Sequence, residues 1–391
     1  MKIVQINTFP YKATGSIMMN LHDALMKNGA ESYVVWGRGR DSENDTEIVI
    51  KDEIGVKIHG IYTRVTDKTG FASWRATKKL IRKLMCIKPD IVHLHNIHGY
   101  YVNIEMLFDY LKNNGVRVIW TFHDCWPFTG HCAYFDMLGC EKWKSGCYSC
   151  AQKNTYPSSF FADNSQWNWN RKKELFNGLD LTIVTPSQWL KEIVGQSFLK
   201  QNRVCVINNG IEAGKYKPTK TDFYNRLNVA HKVVVLGVAS EWAERKGLKD
   251  FIKLWEKIDH EKFAVVLIGL DRDQIKKLPT GVIGMGRTSN LEELVGAYSG
   301  ADFFFDPTYD DNFPTTNLEA IACGTPVITY KTGGSPETLF PDNGWVTEQG
   351  DIAAVIKILE SENKNKKNVF LPDRFKKESM IAEYLKLYDI M

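Results

Sequence analysis

Two carboxylates, Asp311 and Glu319, are separated by seven residues in the segment DDNFPTTNLEAIACGTPVITYKTGGSPE, which runs from Asp310 to Glu337. Pro314 suits the first turn of a helix, where its missing N–H is not needed. Thr315, Thr316 and Asn317 are small enough to leave the first backbone N–H groups open to a ligand. Such a helix start carries about half a positive charge together with unpaired donors, and it favours phosphate. Further along the same helix, Glu319 is placed to accept from two neighbouring hydroxyls such as those of a ribose. Gly324, Thr325 and Pro326 end the helix, Val327–Tyr330 reads as a buried strand, and Gly333–Gly334 makes a second tight turn. A nucleoside diphosphate fits this arrangement.

The segment resembles the signature of retaining glycosyltransferases of family 4, in which two acids with seven residues between them precede an Ala-x-x-x-Gly-x-Pro-Val run. Here that run is Ala320 to Val327, and the first acid, usually Glu, is Asp311, one methylene shorter. The resemblance implies the GT-B architecture, two Rossmann-like parallel-sheet domains facing across a cleft. It also implies a nucleotide-sugar donor and catalysis without a cofactor.

Other residues fall where the same chemistry needs them. After the apolar run Val233–Val238, Arg245 and Lys246 precede Gly247 at a strand-to-helix turn, two cations that suit a diphosphate. The resemblance makes Lys246 the diphosphate ligand, with Arg245 standing in for an arginine usually found where Ser240 lies. His123 ends a strand, where a sheet presents groups to a ligand, and by the resemblance it contacts the donor sugar. His123, Lys246, Arg245 and Asp311 are thus the expected catalytic residues. Gly15 and Ser16, in a turn with one glycine where two are common, complete the donor site with Thr315, Thr316, Glu319 and Gly286. Gly286 lies in the Ile283–Arg287 stretch, where backbone lines the base. His98 and Gly99 lie in a loop within reach of an acceptor, and His93 and His95 share one strand face. The paired acids Asp310 and Asp311 could hold a divalent cation, but Arg245 and Lys246 already neutralise a leaving diphosphate, so no metal requirement is expected.

Five of the eight cysteines fall between residues 125 and 150. Cys147-x-x-Cys150 has the spacing of a chelating hairpin, and Cys132 and Cys140 can complete a tetrahedral structural zinc site. A reducible disulfide pair and inert thiols are the alternatives. The insertion holds little apolar matter besides aromatics, which is why a staple is expected. With it, the phrases TFHDCWPFTGHC and HLHNIHG look like enzymes of bacterial capsule, exopolysaccharide or colanic-acid assembly within the family.

These residues must be held by alternating strands and helices. The spacing predicts strands at Lys2–Asn7, Ser32–Trp36, Asp90–His95, Arg117–Phe122, Leu181–Thr185 and Val204–Ile207, with helices at Ile17–Lys27 and Glu105–Asn113. The pattern restarts near Asn208 with strands at Lys232–Val238, Phe263–Gly269 and Asp302–Asp306, and helices at Leu248–Ile258 and Leu291–Ser299. Short apolar strands separated by helices argue α/β domains with parallel sheets covered on both faces. The expected domains are 1–206, for the acceptor, with the cysteine-rich insertion at about 125–155, and 207–373, for the donor. By the resemblance, a final helix at 374–391 returns to the first. A polar stretch, Glu360–Asn368, reads as a loop.

At 391 residues the chain is long enough for two cores, and 43% hydrophobic with 25% charged residues is ordinary for a globular protein. A net charge of +4 is too small to argue for nucleic acid. The opening MKIVQINTFP enters a strand at once, so a cytoplasmic location is expected. Between Arg64 and Lys88 there are eight basic residues and one acid, with Trp74, Thr77, Leu80, Ile81 and Leu84 at helical spacing. That pattern predicts a helix with an apolar stripe and a basic face, either a solvated surface helix packed on a sheet or one able to meet anionic lipid at the inner membrane face. The resulting expectation is a retaining enzyme moving a hexose from a UDP- or GDP-linked donor to a lipid-linked or glycan acceptor. A nucleotide-sugar epimerase of the same fold and a non-catalytic zinc-bearing scaffold are the rival readings.

Overall fold

The computed structural model describes residues 1–361 and 369–390. The expected loop at Glu360–Asn368 therefore lies outside the described residues from position 362 onward. Contacts divide the chain into two units, one of Met1–Ile207 with Ile381–Met391, the other of Asn208–Met380. The return to the first unit comes at Ile381, inside the last helix, rather than at 374.

The first unit is built on a seven-stranded sheet of β1 (Lys2–Asn7), β2 (Glu31–Trp36), β3 (Glu47–Val49), β4 (Ile91–Leu94), β5 (Arg117–Thr121), β6 (Leu181–Thr185) and β7 (Arg203–Val206). Its order is β3-β2-β1-β4-β5-β6-β7, and every pairing is parallel. All four residues of β4 and all five of β6 are buried, as a sheet covered on both faces requires. The last helix, Lys377–Leu387, is tied to this sheet through Tyr384 and Tyr388. The Tyr388 hydroxyl lies 2.5 Å from His93 Nδ1, and that of Tyr384 lies 2.8 Å from Thr121 Oγ1.

The second unit repeats the plan with β8 (Val233–Val238), β9 (Phe263–Ile268), β10 (Ile283–Met285), β11 (Phe303–Asp306), β12 (Val327–Tyr330) and β13 (Gly344–Thr347). The order β10-β9-β8-β11-β12-β13 is again wholly parallel. In the doubly wound order, β8 and β11 are neighbours although two strands intervene in sequence. The loops leaving their carboxyl ends are therefore brought side by side, where such sheets bind ligands.

Two local expectations change. The first helix begins at Lys12, not Ile17, so Gly15 and Ser16 lie in its first turns rather than in a loop. Gly15 is required there because a Cβ would meet the Phe9 carbonyl oxygen at 2.6 Å. The helix after Gly247 stops at Trp255, not Ile258. On the basic helix Trp74–Ile87, Thr77, Leu80 and Leu84 are buried while Arg75, Lys78, Arg82 and Lys83 are exposed, the arrangement of a surface helix packed on the fold.

The cysteine-rich insertion also differs from expectation. Among the described residues no group of three or more His, Cys, Asp or Glu side chains is placed to hold a metal ion, and none of the eight cysteines is joined in a disulfide. A zinc site at Cys132, Cys140, Cys147 and Cys150 is not supported. Burial pushes the Cys147 thiol up to about 12, and its sulfur accepts from Gly130 N–H at 3.2 Å. The insertion is ordered instead by stacked aromatics and buried charge. Phe135 lies 5.0 Å from Trp143, and the Lys172 ammonium sits 3.4 Å from the Trp126 ring centroid. Lys172 donates to the carbonyls of Trp126 (2.8 Å) and Thr129 (3.0 Å), and His131 pairs with the buried Asp67 carboxylate.

Candidate functional site

In the second unit the loops after β8 and β11 are laced together. Tyr309 N–H donates to the Arg245 carbonyl at 2.7 Å, and the Arg245 guanidinium donates to the Asp310 carbonyl at 2.6 Å. Lys246 Nζ lies 2.6 Å from Asp311 Oδ2, and Arg245 lies 3.6 Å from the same oxygen. The lysine and aspartate side chains are each only 17% exposed. Burial alone would push the Asp311 carboxyl up, but the Lys246 and Arg245 cations hold it below the ordinary aspartate value. The expected catalytic residues Arg245, Lys246 and Asp311 therefore form one ion cluster.

The turn that presents the cations depends on Gly247, whose φ is +72°. A Cβ there would fall 2.1 Å from the Pro307 carbonyl oxygen, which follows β11. Gly247→Ala is expected to cost about 2 kcal/mol or more, because left-handed strain and a backbone clash coincide. A denaturant-unfolding midpoint indistinguishable from that of the unaltered protein would contradict this.

The helix after β11 starts at Thr315, with Pro314 as its N-cap rather than inside its first turn. No side chain caps it; the Pro314 carbonyl accepts from Asn317 N–H at 3.3 Å, and Thr315 and Thr316 precede that residue at the helix start. Along this helix, the Glu319 carboxylate accepts from the Tyr298 hydroxyl at 2.9 Å and also from Tyr216. Burial pushes Glu319 up to about 7, against the pull of the two phenols. Neither tyrosine was legible as a site residue; a phenol inside the otherwise small, apolar stretch Leu294–Gly300 is the only sequence signal for Tyr298. Asp306 was also missed. It ends the apolar strand FFFD, is buried, and leaves Oδ2 without a hydrogen-bond partner; burial raises it to about 6. At the end of β10, Gly286 is exposed, and Arg287 beside it donates to the Ser240 carbonyl at 3.1 Å. A guanidinium thus reaches the position where the resembled family carries its arginine.

In the first unit His123 stands just past β5 and contacts His95, Nε2 to Nδ1, at 3.1 Å, with the rings stacked. Burial lowers His123 to about 4, so its ring is neutral near pH 7. His98 is buried between Asp124, 2.8 Å from its Nε2, and the Tyr156 hydroxyl, 3.2 Å from its Nδ1. Burial lowers it to about 3, which makes the Asp124 contact a hydrogen bond from a neutral imidazole rather than an ion pair. Gly99 is buried against Thr8. Ser16 is exposed near the helix start.

Residues 14–215 match the sequence model described as Glycosyltransferase Family 4, and residues 220–378 match Glycosyl transferases group 1. The chain is 23% identical over 384 residues, 93% of it and 91% of its relative, to an Escherichia coli (strain K12) protein bearing the name colanic acid biosynthesis glycosyl transferase WcaC. It is 29% identical over 213 residues to the N,N'-diacetylbacillosaminyl-diphospho-undecaprenol alpha-1,3-N-acetylgalactosaminyltransferase of Campylobacter jejuni, covering 49% of this chain and 55% of that one. The crystal structure of Anabaena HepE in complex with UDP-glucose superposes with a TM-score of 0.68 at 14% identity, over the whole of both chains.

Proposed function

Because the chain belongs to the glycosyltransferases of family 4 and group 1 and has the GT-B fold, we propose that it is a retaining enzyme of bacterial surface polysaccharide synthesis. It moves a hexose-type sugar from a UDP- or GDP-linked donor to a lipid-linked or oligosaccharide acceptor. The observation that carries this reading is the Arg245–Lys246–Asp311 cluster beside an uncapped helix start, with Glu319 on the same helix. Relatives named for UDP-glucose binding and for an undecaprenol-linked substrate support the donor and acceptor classes.

In this reading the ribose hydroxyls donate to Glu319 while the diphosphate meets Arg245, Lys246 and the N–H groups of Thr315 and Thr316. Breaking the bond from the anomeric carbon to the phosphate oxygen leaves negative charge on the diphosphate, and cations already in place stabilise it without reorganising. The acceptor hydroxyl bonds to the anomeric carbon on the face the phosphate leaves, and a departing phosphate oxygen takes its proton. Asp311 is held as a carboxylate by its cations and orients the sugar rather than serving as a base. His123, a neutral ring, contributes a hydrogen bond to the sugar.

Calorimetric titration with UDP, GDP and their hexose conjugates tests the reading. One nucleotide family is expected to bind, with affinity lost in Glu319→Ala, and to release free nucleoside diphosphate when a polyprenyl-linked acceptor is added. Absence of binding by every nucleoside diphosphate would sink it.

A further inference from the structure

The helix Glu53–Thr66 carries its apolar residues on the wrong side for a globular protein. His59, Gly60 and Thr63 are its buried residues, whereas Ile54 is 70% exposed, Ile58 53%, Ile61 62% and Val65 47%. At about 100° per residue these four fall within one stripe roughly 60° wide, opposite the buried face. Single exposed aliphatics are common, but four in register on one helix form a patch that marks an interaction surface.

The patch extends beyond the helix. Phe160 N–H donates to the Arg64 carbonyl at 2.8 Å, which fixes Phe160 and Phe161 at the helix's carboxyl end, and Phe161 is 76% exposed. Trp74 packs edge-on against Tyr62 with ring centroids 6.3 Å apart, and it too is about half exposed. The rim is cationic. Lys57 and Arg64 flank the stripe on its own helix, with Glu53 the acid on that side. The neighbouring helix Trp74–Ile87 has no acid and presents Arg75, Lys78, Arg82 and Lys83 to solvent.

We propose that this face docks on an anionic lipid surface, with Ile54, Ile58, Ile61, Val65 and Phe161 entering the interface and the surrounding lysines and arginines meeting lipid phosphates. Charge selects this occupant. A second copy of the chain would set the same cationic rim against itself, whereas anionic headgroups complement it. Among the described residues no helix is long and apolar enough to cross a membrane, so docking of this kind is peripheral. The inference deepens the lipid-linked acceptor reading, and it concerns side chains remote in sequence from Lys246 and Glu319.

The test is co-sedimentation of the full chain with vesicles of phosphatidylcholine alone and of phosphatidylcholine with phosphatidylglycerol. Binding is expected only with phosphatidylglycerol and is expected to weaken as salt rises. An Ile58→Asp/Ile61→Asp variant should bind at least about tenfold more weakly, since two apolar side chains no longer enter the interface. Its melting temperature and nucleotide affinity should be unchanged, because both positions face solvent. Equal vesicle binding by the variant, or no binding by the unaltered chain, overturns the proposal. So does concentration-dependent self-association that the variant abolishes, which would assign the face to a second copy. Loss of vesicle binding with nucleotide affinity intact separates this inference from the donor-site reading.

Discussion

Lys246→Ala is expected to lower kcat/KM by about a hundredfold or more, a loss of about 3 kcal/mol of transition-state stabilisation. Lys246 is held 2.6 Å from Asp311, so in the proposed mechanism its ammonium is preorganised to meet the charge that develops on the diphosphate. Arg245 cannot take over fully. It is 3.6 Å from the same carboxylate, and its guanidinium is committed to the Asp310 carbonyl. Alanine also leaves Asp311 largely buried with one distant cation, so a drop in stability of about 1–2 kcal/mol should accompany the kinetic loss. The two effects separate in a double variant. Lys246→Ala/Asp311→Asn removes the orphaned charge and should recover most of the melting temperature while remaining inactive. Single-turnover rates at saturating donor together with thermal unfolding make the comparison. Full recovery of turnover in the double variant would show that Lys246 serves Asp311 and not the diphosphate.

How much of this cluster could be read beforehand follows from which of its features are local. Arg245, Lys246, Asp311 and Glu319 each belong to a short run with its own turn and helix signals, and those runs stand out in the sequence. Their meeting does not, because it depends on β8 and β11 becoming neighbours across two intervening strands. The central strands were legible for a similar reason. Runs such as VVVLGV and FAVVLI are buried on both faces and stay apolar throughout. The strands that escaped notice, Glu47–Val49, Ile283–Met285 and Gly344–Thr347, are all at sheet edges and only three or four residues long. An edge strand has one partner and a less buried surface, so it needs neither length nor an unbroken apolar run. The helix Glu53–Thr66 was missed for the opposite reason. Its exposed stripe disguises the ordinary inward-facing pattern. In the insertion, cysteine spacing suggested zinc, while Asp67 and Lys172, which pair with His131 and cap the Trp126 and Thr129 carbonyls, lie far from it in sequence.

Donor binding should strengthen as pH rises through about 7, with Glu319 as the titrating group. Only the carboxylate accepts from two ribose hydroxyls at once; the protonated acid spends one oxygen as a donor. Desolvation raises this carboxyl from the ordinary glutamate value, and the phenols of Tyr298 and Tyr216 partly oppose it by donating to the ionised form. Glu319→Ala is expected to weaken nucleoside diphosphate binding by about 3 kcal/mol, since two hydrogen bonds to a charged acceptor are lost. Glu319→Gln should bind weakly at every pH, with the inflection gone. Tyr298→Phe removes one stabilising donor and should carry the inflection above its position in the unaltered enzyme. The same shift acts on folding with the opposite consequence. A carboxyl whose folded value is raised holds its proton more tightly when folded, so its contribution is present below the unfolded value and is lost as pH climbs through about 7. Glu319→Gln should therefore unfold at a higher temperature than the parent in mildly alkaline buffer, and the difference should vanish in acid. In the proposed donor site the side chain that weakens the fold above neutrality is the one that would accept from the ribose, and a bound donor should narrow the stability gap by supplying hydroxyls to the buried carboxylate. A gap that donor leaves unchanged would place the ribose elsewhere.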